Sequence, residues 1–119
     1  MNVALVGASD RPERYAYRAF QLLQEKGHAV FPVHPKLTDI SGVRVFSSVQ
    51  DIPSPIHTIT LYIGKERSDQ IMMEIIAARP ERIILNPGAE NDHLEAVALK
   101  VGINVVHACT IVLLETGQF

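Results

Sequence analysis

The sequence predicts an α/β domain of three layers, in which a mostly parallel sheet of five or six strands is covered by helices on both faces. Three observations carry that expectation. Short continuous apolar runs recur along the chain, as strands buried on both faces of a parallel sheet require. Between them lie stretches whose apolar residues fall at helical spacing. The strand-like runs end in glycine, proline or small polar residues, which gathers those residue types at one rim of the sheet, where ligands of open α/β folds bind.

Val3, Ala4, Leu5 and Val6 form the first run, closed by Gly7, and predict a central strand. A polar turn from Ser9 to Arg14 follows; Ala16, Ala19, Phe20, Leu22 and Leu23 then recur at helical spacing, with Gly27 as the stop. Ala29 to Val33 reads as a second strand that ends at His34-Pro35-Lys36, where the prolines impose an extended path. Residues 43–46 read as a brief strand, residues 51–55 as a loop and residues 58–63 as a strand ended by Gly64. One helix is expected over 65–78, with Ile71, Met72, Ile75 and Ile76 on its apolar face and Pro80 at its exit. Ile83-Ile84-Leu85 is the next strand, and Asn86-Pro87-Gly88 turns the chain toward a helix over 92–101 stopped by Gly102. Residues 104–107 make the last strand, and the tail from Cys109 to Phe119 is apolar enough to dock on the body. Strands that alternate with helices in this way imply right-handed crossovers and a Rossmann-type domain.

At 119 residues, one domain spanning 1–119 is expected, and 47% hydrophobic with 20% charged residues fits an ordinary globular chain. A net charge of −2 predicts no general attraction to nucleic acid or to an anionic membrane, so any anion site must be local. Cys109 is the only cysteine, which excludes an internal disulfide and multi-cysteine zinc sites and favours a reducing compartment. The first residues run straight into a strand pattern with no signal-peptide start, and no segment reaches the roughly 18 to 20 apolar residues of a membrane helix. A cytoplasmic location is the expectation.

The first strand-to-helix turn carries the chemistry. Gly7 permits a sharp bend, Ala8 and Ser9 are small enough for close approach, and the helix start beyond offers free N–H groups and partial positive charge to a phosphate. The dinucleotide fingerprint GxGxxG is incomplete, because Ser9 stands at its second glycine and Arg11 and Pro12 follow where the third should fall. After the second strand an NAD site wants a carboxylate for the ribose, yet the chain presents His34-Pro35-Lys36. A cation there points to an extra ribose phosphate, as NADP carries at its 2′ position and coenzyme A at its 3′ position. Lys36, supported by Arg11 or Arg14, is the expected cation, against the plainer reading of solvated surface charge.

Gly7-Ala8-Ser9, the stretch from Pro12 to Arg18, Gly27-His28 leading to His34-Pro35-Lys36, and Asn86 to Asn91 with Ala108-Cys109-Thr110 resemble the small stand-alone CoA-binding proteins. Their fold is also that of the nucleotide-binding domain of the succinyl-CoA ligase alpha subunit. The resemblance covers nearly the whole chain in matching order and raises coenzyme A above NADP. It implies that Gly7, Ala8 and Ser9 receive the pyrophosphate, with Arg14 and Tyr15 beside it. Val33, Pro35 and Lys36 then border the adenosine and its phosphate, Tyr62 and Ile63 wall the adenine, and Asn86, Pro87 and Gly88 lie near the pantetheine. His34 stands where the resemblance leads one to expect asparagine. In the ligase a second domain bears the phosphorylated histidine; with the chain ending at Phe119, binding of CoA or acyl-CoA without chemistry is expected here, as a carrier, sensor or partner subunit. The alternatives are an NADP-dependent oxidoreductase domain and a Rossmann domain that serves only as an interaction module.

Other residues invite functional readings and have plainer ones. Cys109 could act as a redox thiol or form a mixed disulfide with CoA, with His107 as its one candidate partner, but a small buried hydrophobe is the simpler role. His28, His57 and His93 show no metal spacing, and no metal is expected. Ser9 lacks the GxSxG elbow of a nucleophile. Tyr15 and Tyr17 could stack on a base or simply pack, and apolar residues near Ile111 to Leu114 would support a homodimer.

Overall fold

The computed structural model describes residues 1–119. In chain order the elements are β1 (Asn2–Val6), α1 (Tyr15–Glu25), β2 (Ala29–Val33), β3 (Asp39–Ile40) and β4 (Val43–Arg44). A single 3₁₀ turn at Val49–Asp51 precedes β5 (Thr58–Leu61), α2 (Lys65–Gln70), α3 (Met72–Ala77), β6 (Arg82–Leu85), α4 (Asp92–Lys100), β7 (Asn104–His107) and α5 (Thr110–Glu115). Five of the strands form one parallel sheet in the order β2-β1-β5-β6-β7, a Rossmann-like α/β arrangement. The direction of winding reverses at β1, with β2 on one side and β5 on the other. The crevice of the fold therefore opens between the carboxyl ends of β1 and β5.

Alternation along the strands divides the core in two. Ala4, Val6, Ile59, Leu61, Ile83 and Leu85 pack with Met72 and Ile75 of α3 and Leu94 and Ala98 of α4. On the opposite face, Leu5 packs with Ala19 and Phe20 of α1 and Ile111 of α5, and Val3 with Leu23 and Leu114. Both faces being covered, β1 can be an unbroken apolar run.

On the α5 side of the sheet, β5 exposes polar rather than apolar groups to the interior. Thr58 and Thr60 are both fully buried. The Thr60 and Thr110 hydroxyls pair at 2.8 Å. Asn86, 1% exposed, donates from Nδ2 to Thr60 Oγ1 at 2.7 Å and to the Leu61 carbonyl at 2.8 Å, while its Oδ1 accepts from the Thr110 N–H at 2.8 Å. One amide thus ties β5, the end of β6 and the start of α5 together.

Four segments differ from the sequence-based expectation. Residues 43–46 do not form one strand. Ser41 and Gly42, with φ of 49° and 82°, close a two-residue hairpin that pairs β3 with β4, and only Phe46 returns to the main sheet, bridging Val33. The helix expected over 65–78 divides at Ile71, whose φ of −110° and ψ of 14° are shared by the end of α2 and the start of α3. Three hydrogen bonds engage the turn just before it: Ser68 Oγ bonds back to the Lys65 carbonyl, and Asn91 Nδ2, at the start of α4, donates to Ser68 Oγ (2.8 Å) and Asp69 Oδ1 (2.9 Å). The strand expected to reach residue 63 ends at Leu61, where the chain turns over Gly7. The docked tail is the helix α5, which places Ile111 and Leu114 in the core and leaves Val112 51% exposed, so residues 111 to 114 are not the open apolar patch expected of a dimer contact. No helix is long and apolar enough to cross a membrane.

Replacing Asn86 by leucine keeps the branching at Cγ but adds bulk and strands the Thr110 N–H and the Thr60–Thr110 hydroxyl pair without their amide partner. Asn86→Leu is expected to cost about 2 to 4 kcal/mol of stability. A urea titration would read this as a lower midpoint at unchanged slope; a midpoint matching the parent would mean the network carries no net stability.

Candidate functional site

At the reversal point the backbone of β1 passes so close to that of β5 that a side chain cannot fit. Gly7 has φ of +91°, and a Cβ placed on it would lie 2.8 Å from Ile63 Cγ2 and 2.9 Å from the Tyr62 carbonyl carbon and oxygen. The N–H groups of Gly7 and Ala8 both donate to the Val33 carbonyl, at 3.1 and 3.2 Å, which locks the turn to the end of β2. Beyond it, Ser9 Oγ accepts from the Arg11 N–H at 3.1 Å. The N–H groups of Ser9, Asp10, Tyr15 and Ala16 have no partner within the chain, the last two because they open α1. No acidic side chain occupies the first turn of α1 to neutralise its positive end.

These groups line a cavity of about 660 Å³, the size range of small-molecule sites. Of the residues singled out in the sequence, Gly7, Ala8, Ser9, Arg14, Tyr15, His34, Tyr62 and Ile63 contribute to its wall. Arg11, considered there as a supporting cation, does too. Val33, Pro35, Lys36, Asn86, Pro87 and Gly88 do not. Val33 is core and serves through its carbonyl, Pro35 and Lys36 run outward as exposed residues, Asn86 is the internal strut, and the Gly88 N–H is taken by the Glu90 carboxylate at 3.0 and 3.2 Å. Sequence reasoning missed Asp10, Leu37 and, above all, Arg67 in the first turn of α2. Its one signal was position, since the turn after β5 faces the turn after β1 wherever strand order reverses. The cavity holds three arginines, Arg11, Arg14 and Arg67, against the single carboxylate of Asp10. The ion pairs of the protein, Arg18–Glu115, Lys65–Asp69 and His107–Glu95, lie elsewhere and leave those three guanidinium groups unpaired.

His34 takes over the local task that asparagine would have at its position. Its Nδ1 accepts from the N–H groups of Lys36 (3.0 Å) and Leu37 (3.1 Å), as an asparagine Oδ1 two bonds from Cβ would. The proton of the neutral ring then resides on Nε2. Burial, and after it the charge of Arg67, lowers the pKa of His34, with Lys36 adding to the effect and Asp10 opposing it. Tyr62 lines the cavity with its ring, while its hydroxyl is buried without a hydrogen-bond partner. Burial first, then the neighbouring Cys109, pushes that phenol far above its ordinary range, so it stays protonated. The Thr110 hydroxyl near it is engaged with Thr60.

Cys109 is half-buried beside Tyr62 and Ile111. His107, the candidate activator, instead pairs through Nε2 with Glu95 at 2.8 Å. His28 meets the terminal amine through Nδ1 at 3.2 Å and His57 meets Thr58, and no group of three His, Cys, Asp or Glu side chains could hold a metal ion.

Fold and cavity together define a Rossmann-like α/β protein with a cavity beyond the ends of β1 and β5, lined by the Gly7-Ala8-Ser9 turn and cationic side chains. The chain belongs to the CoA binding domain family, whose model matches residues 1–115. It is 26% identical over 116 residues to the uncharacterised protein YneT of Bacillus subtilis, covering 91% of this chain and 86% of that one. It is 30% identical over 73 residues to the alpha subunit of the ADP-forming acetate–CoA ligase II of Pyrococcus furiosus, a match to 60% of this chain and 16% of that subunit. A crystal structure of an uncharacterised protein superposes with a TM-score of 0.89 at 33% identity, covering 99% of this chain and 97% of the other.

Two predictions follow from the local chemistry. Gly7→Ala must move Tyr62 and Ile63 and holds an L-residue at positive φ, and is expected to cost about 2 to 4 kcal/mol by denaturant titration; wild-type stability would refute the close approach. His28 and His34 both bind protons more weakly folded than unfolded. Their stabilising effect is therefore complete above the ordinary value of 6.5 and declines as pH falls through 6.5 toward the lower folded values. The melting temperature should drop between about pH 7.5 and 5.5, and His34→Asn, which keeps the acceptor without titrating, should make that drop smaller. An unchanged drop in the variant would remove His34 from the effect.

Proposed function

We propose that this chain is a single domain that binds coenzyme A or an acyl-CoA in the crevice between β1 and β5, working in the cytoplasm as a carrier or sensor without a catalytic centre of its own. The observation that carries the reading is the convergence of four free backbone N–H groups and three unpaired arginines on one cavity of a chain whose net charge is −2. That set matches a pyrophosphate, which needs many donors over a short span. The Gly7-Ala8-Ser9 turn and the start of α1 take the pyrophosphate, with Arg11 and Arg14 beside it. Tyr62 and Ile63 supply an apolar wall for the base. Tyr15, 76% exposed at the mouth of the cavity, offers an aromatic face to whatever leaves it.

Membership of a CoA binding domain family supports coenzyme A over other nucleotides with a pyrophosphate. The non-catalytic part of the reading rests on how the reactive side chains are engaged. The Ser9 hydroxyl serves its own turn through the Arg11 N–H, and His107 is paired with Glu95 rather than with Cys109.

Coenzyme A at about 100 times its dissociation constant should stabilise the protein by ~2.7 kcal/mol, visible as a rise in melting temperature. Arg14→Ala should weaken that binding about tenfold while leaving the ligand-free melting temperature in place, since Arg14 makes a charge-assisted contact and no side-chain bond within the protein. No shift with CoA or acetyl-CoA would overturn the reading. Turnover of acetyl-CoA by the purified protein would overturn its non-catalytic part.

A further inference from the structure

Resting on the reading that the cavity holds a nucleotide, we infer that Arg67 of α2, rather than Lys36, takes the phosphomonoester on the ligand's ribose. In this topology the ribose lies toward the end of the strand next to the phosphate turn, here β2. The residue at that end is His34, which lines the cavity. The chain then leaves, not along the extended path the prolines suggest but through a bend at Pro35 and Lys36, where His34 Nδ1 captures the N–H groups of Lys36 and Leu37. That capture brings Leu37 back to the cavity wall and leaves Lys36 exposed outside it. His34 has no charge to offer, because the nitrogen that would take a proton is the one accepting the two backbone bonds. The end of β2 therefore contributes shape to the ribose site but no cation within the cavity.

The cation comes from across β1. Arg67 shares the cavity with His34, is exposed, and has no ion pair or side-chain hydrogen bond. Its charge acts on the His34 ring more strongly than that of Lys36, although Lys36 is only two residues away in sequence. The helix that carries it is fixed in place: Asn91 holds the two following residues, Ser68 and Asp69, and Lys65 is neutralised by Asp69 at 2.9 Å. Arg67 is thus the one unpaired cation of α2, presented from an anchored turn. Arg11 and Arg14 belong to the β1–α1 turn with its free N–H groups, the place of the pyrophosphate. A guanidinium suits the remaining phosphate group, since its planar fork can give two parallel bonds to a phosphate dianion.

The 3′-phosphate of CoA and the 2′-phosphate of NADP present the same chemistry, so four ligands separate the sources. Calorimetric titration of the parent, Arg67→Met and Lys36→Met with CoA, 3′-dephospho-CoA, NADP and NAD is the test. The parent should prefer CoA to 3′-dephospho-CoA by about tenfold or more, the range of a charge-assisted bond. Arg67→Met should shrink that preference to about twofold or less by weakening CoA alone, while Lys36→Met preserves it. Melting temperatures equal to the parent's verify that both exposed substitutions leave the fold intact. A preference that survives in Arg67→Met, or collapses in Lys36→Met, overturns the assignment. A protein that ignores both CoA forms but loses a preference for NADP over NAD on Arg67→Met would keep Arg67 in its role and overturn the coenzyme A reading. Binding of none of the four overturns both.

Discussion

The structure depends on how closely β1 and β5 approach at Gly7. Their register, Val6 opposite Leu61, continues into the Tyr62 N–H bond to the Val6 carbonyl at 2.8 Å, which carries the β5 backbone against the next residue of β1. With Tyr62 and Ile63 atoms at 2.8 to 2.9 Å from where a Cβ would stand, only glycine completes the turn. The same residue donates to Val33, so the ends of β2, β1 and β5 meet at one point. The cavity exists because the chain leaves that point in three directions, into the β1–α1 turn, past His34, and through Gly64 into α2.

Holding those exits in position is the work of two buried asparagines. Asn86 joins the ends of β5 and β6 to the first residue of α5, so the sheet and the layer beside α1 cannot shift independently. Asn91 caps α4 by accepting from the Leu94 N–H at 3.0 Å and at the same time fixes α2 through Ser68 and Asp69. Both are almost fully buried and fully engaged, the condition under which polar groups inside a core give a unique arrangement at little cost. The apolar cores supply the driving force for folding, while these amides decide where α2 and α5 stand.

Electrostatics follows from the same placement. A chain with more acidic than basic residues concentrates three unpaired guanidinium groups in one cavity, while Arg18 and Lys65 are balanced by Glu115 and Asp69. With low net charge there is little long-range pull on anions, and the unpaired positive charge lies inside the crevice. His34 contributes there as a neutral ring that shapes the chain, and Tyr62 as a neutral phenol in the wall.

What the sequence by itself determined is the part governed by local pattern. Apolar runs marked β1, β2 and β6, helical spacing marked α1 and α4, and Gly7-Ala8-Ser9 marked the turn on which the cavity is built, because each depends on residues adjacent in the chain. Only the tertiary structure decided the rest. Lys36, next to β2 in sequence, stands exposed outside the cavity, and Arg67, remote in sequence, lines it because β5 neighbours β1. Asn86, at the rim by its place in the chain, points inward because Thr60 and Thr110 meet it there. The break at Ile71 and the helix α5 likewise lie beside partners on other elements, Asn91 for the one and α1 for the other. Sequence spacing fixes which residues an element carries, whereas strand order and long-range hydrogen bonds fix which of them share a site.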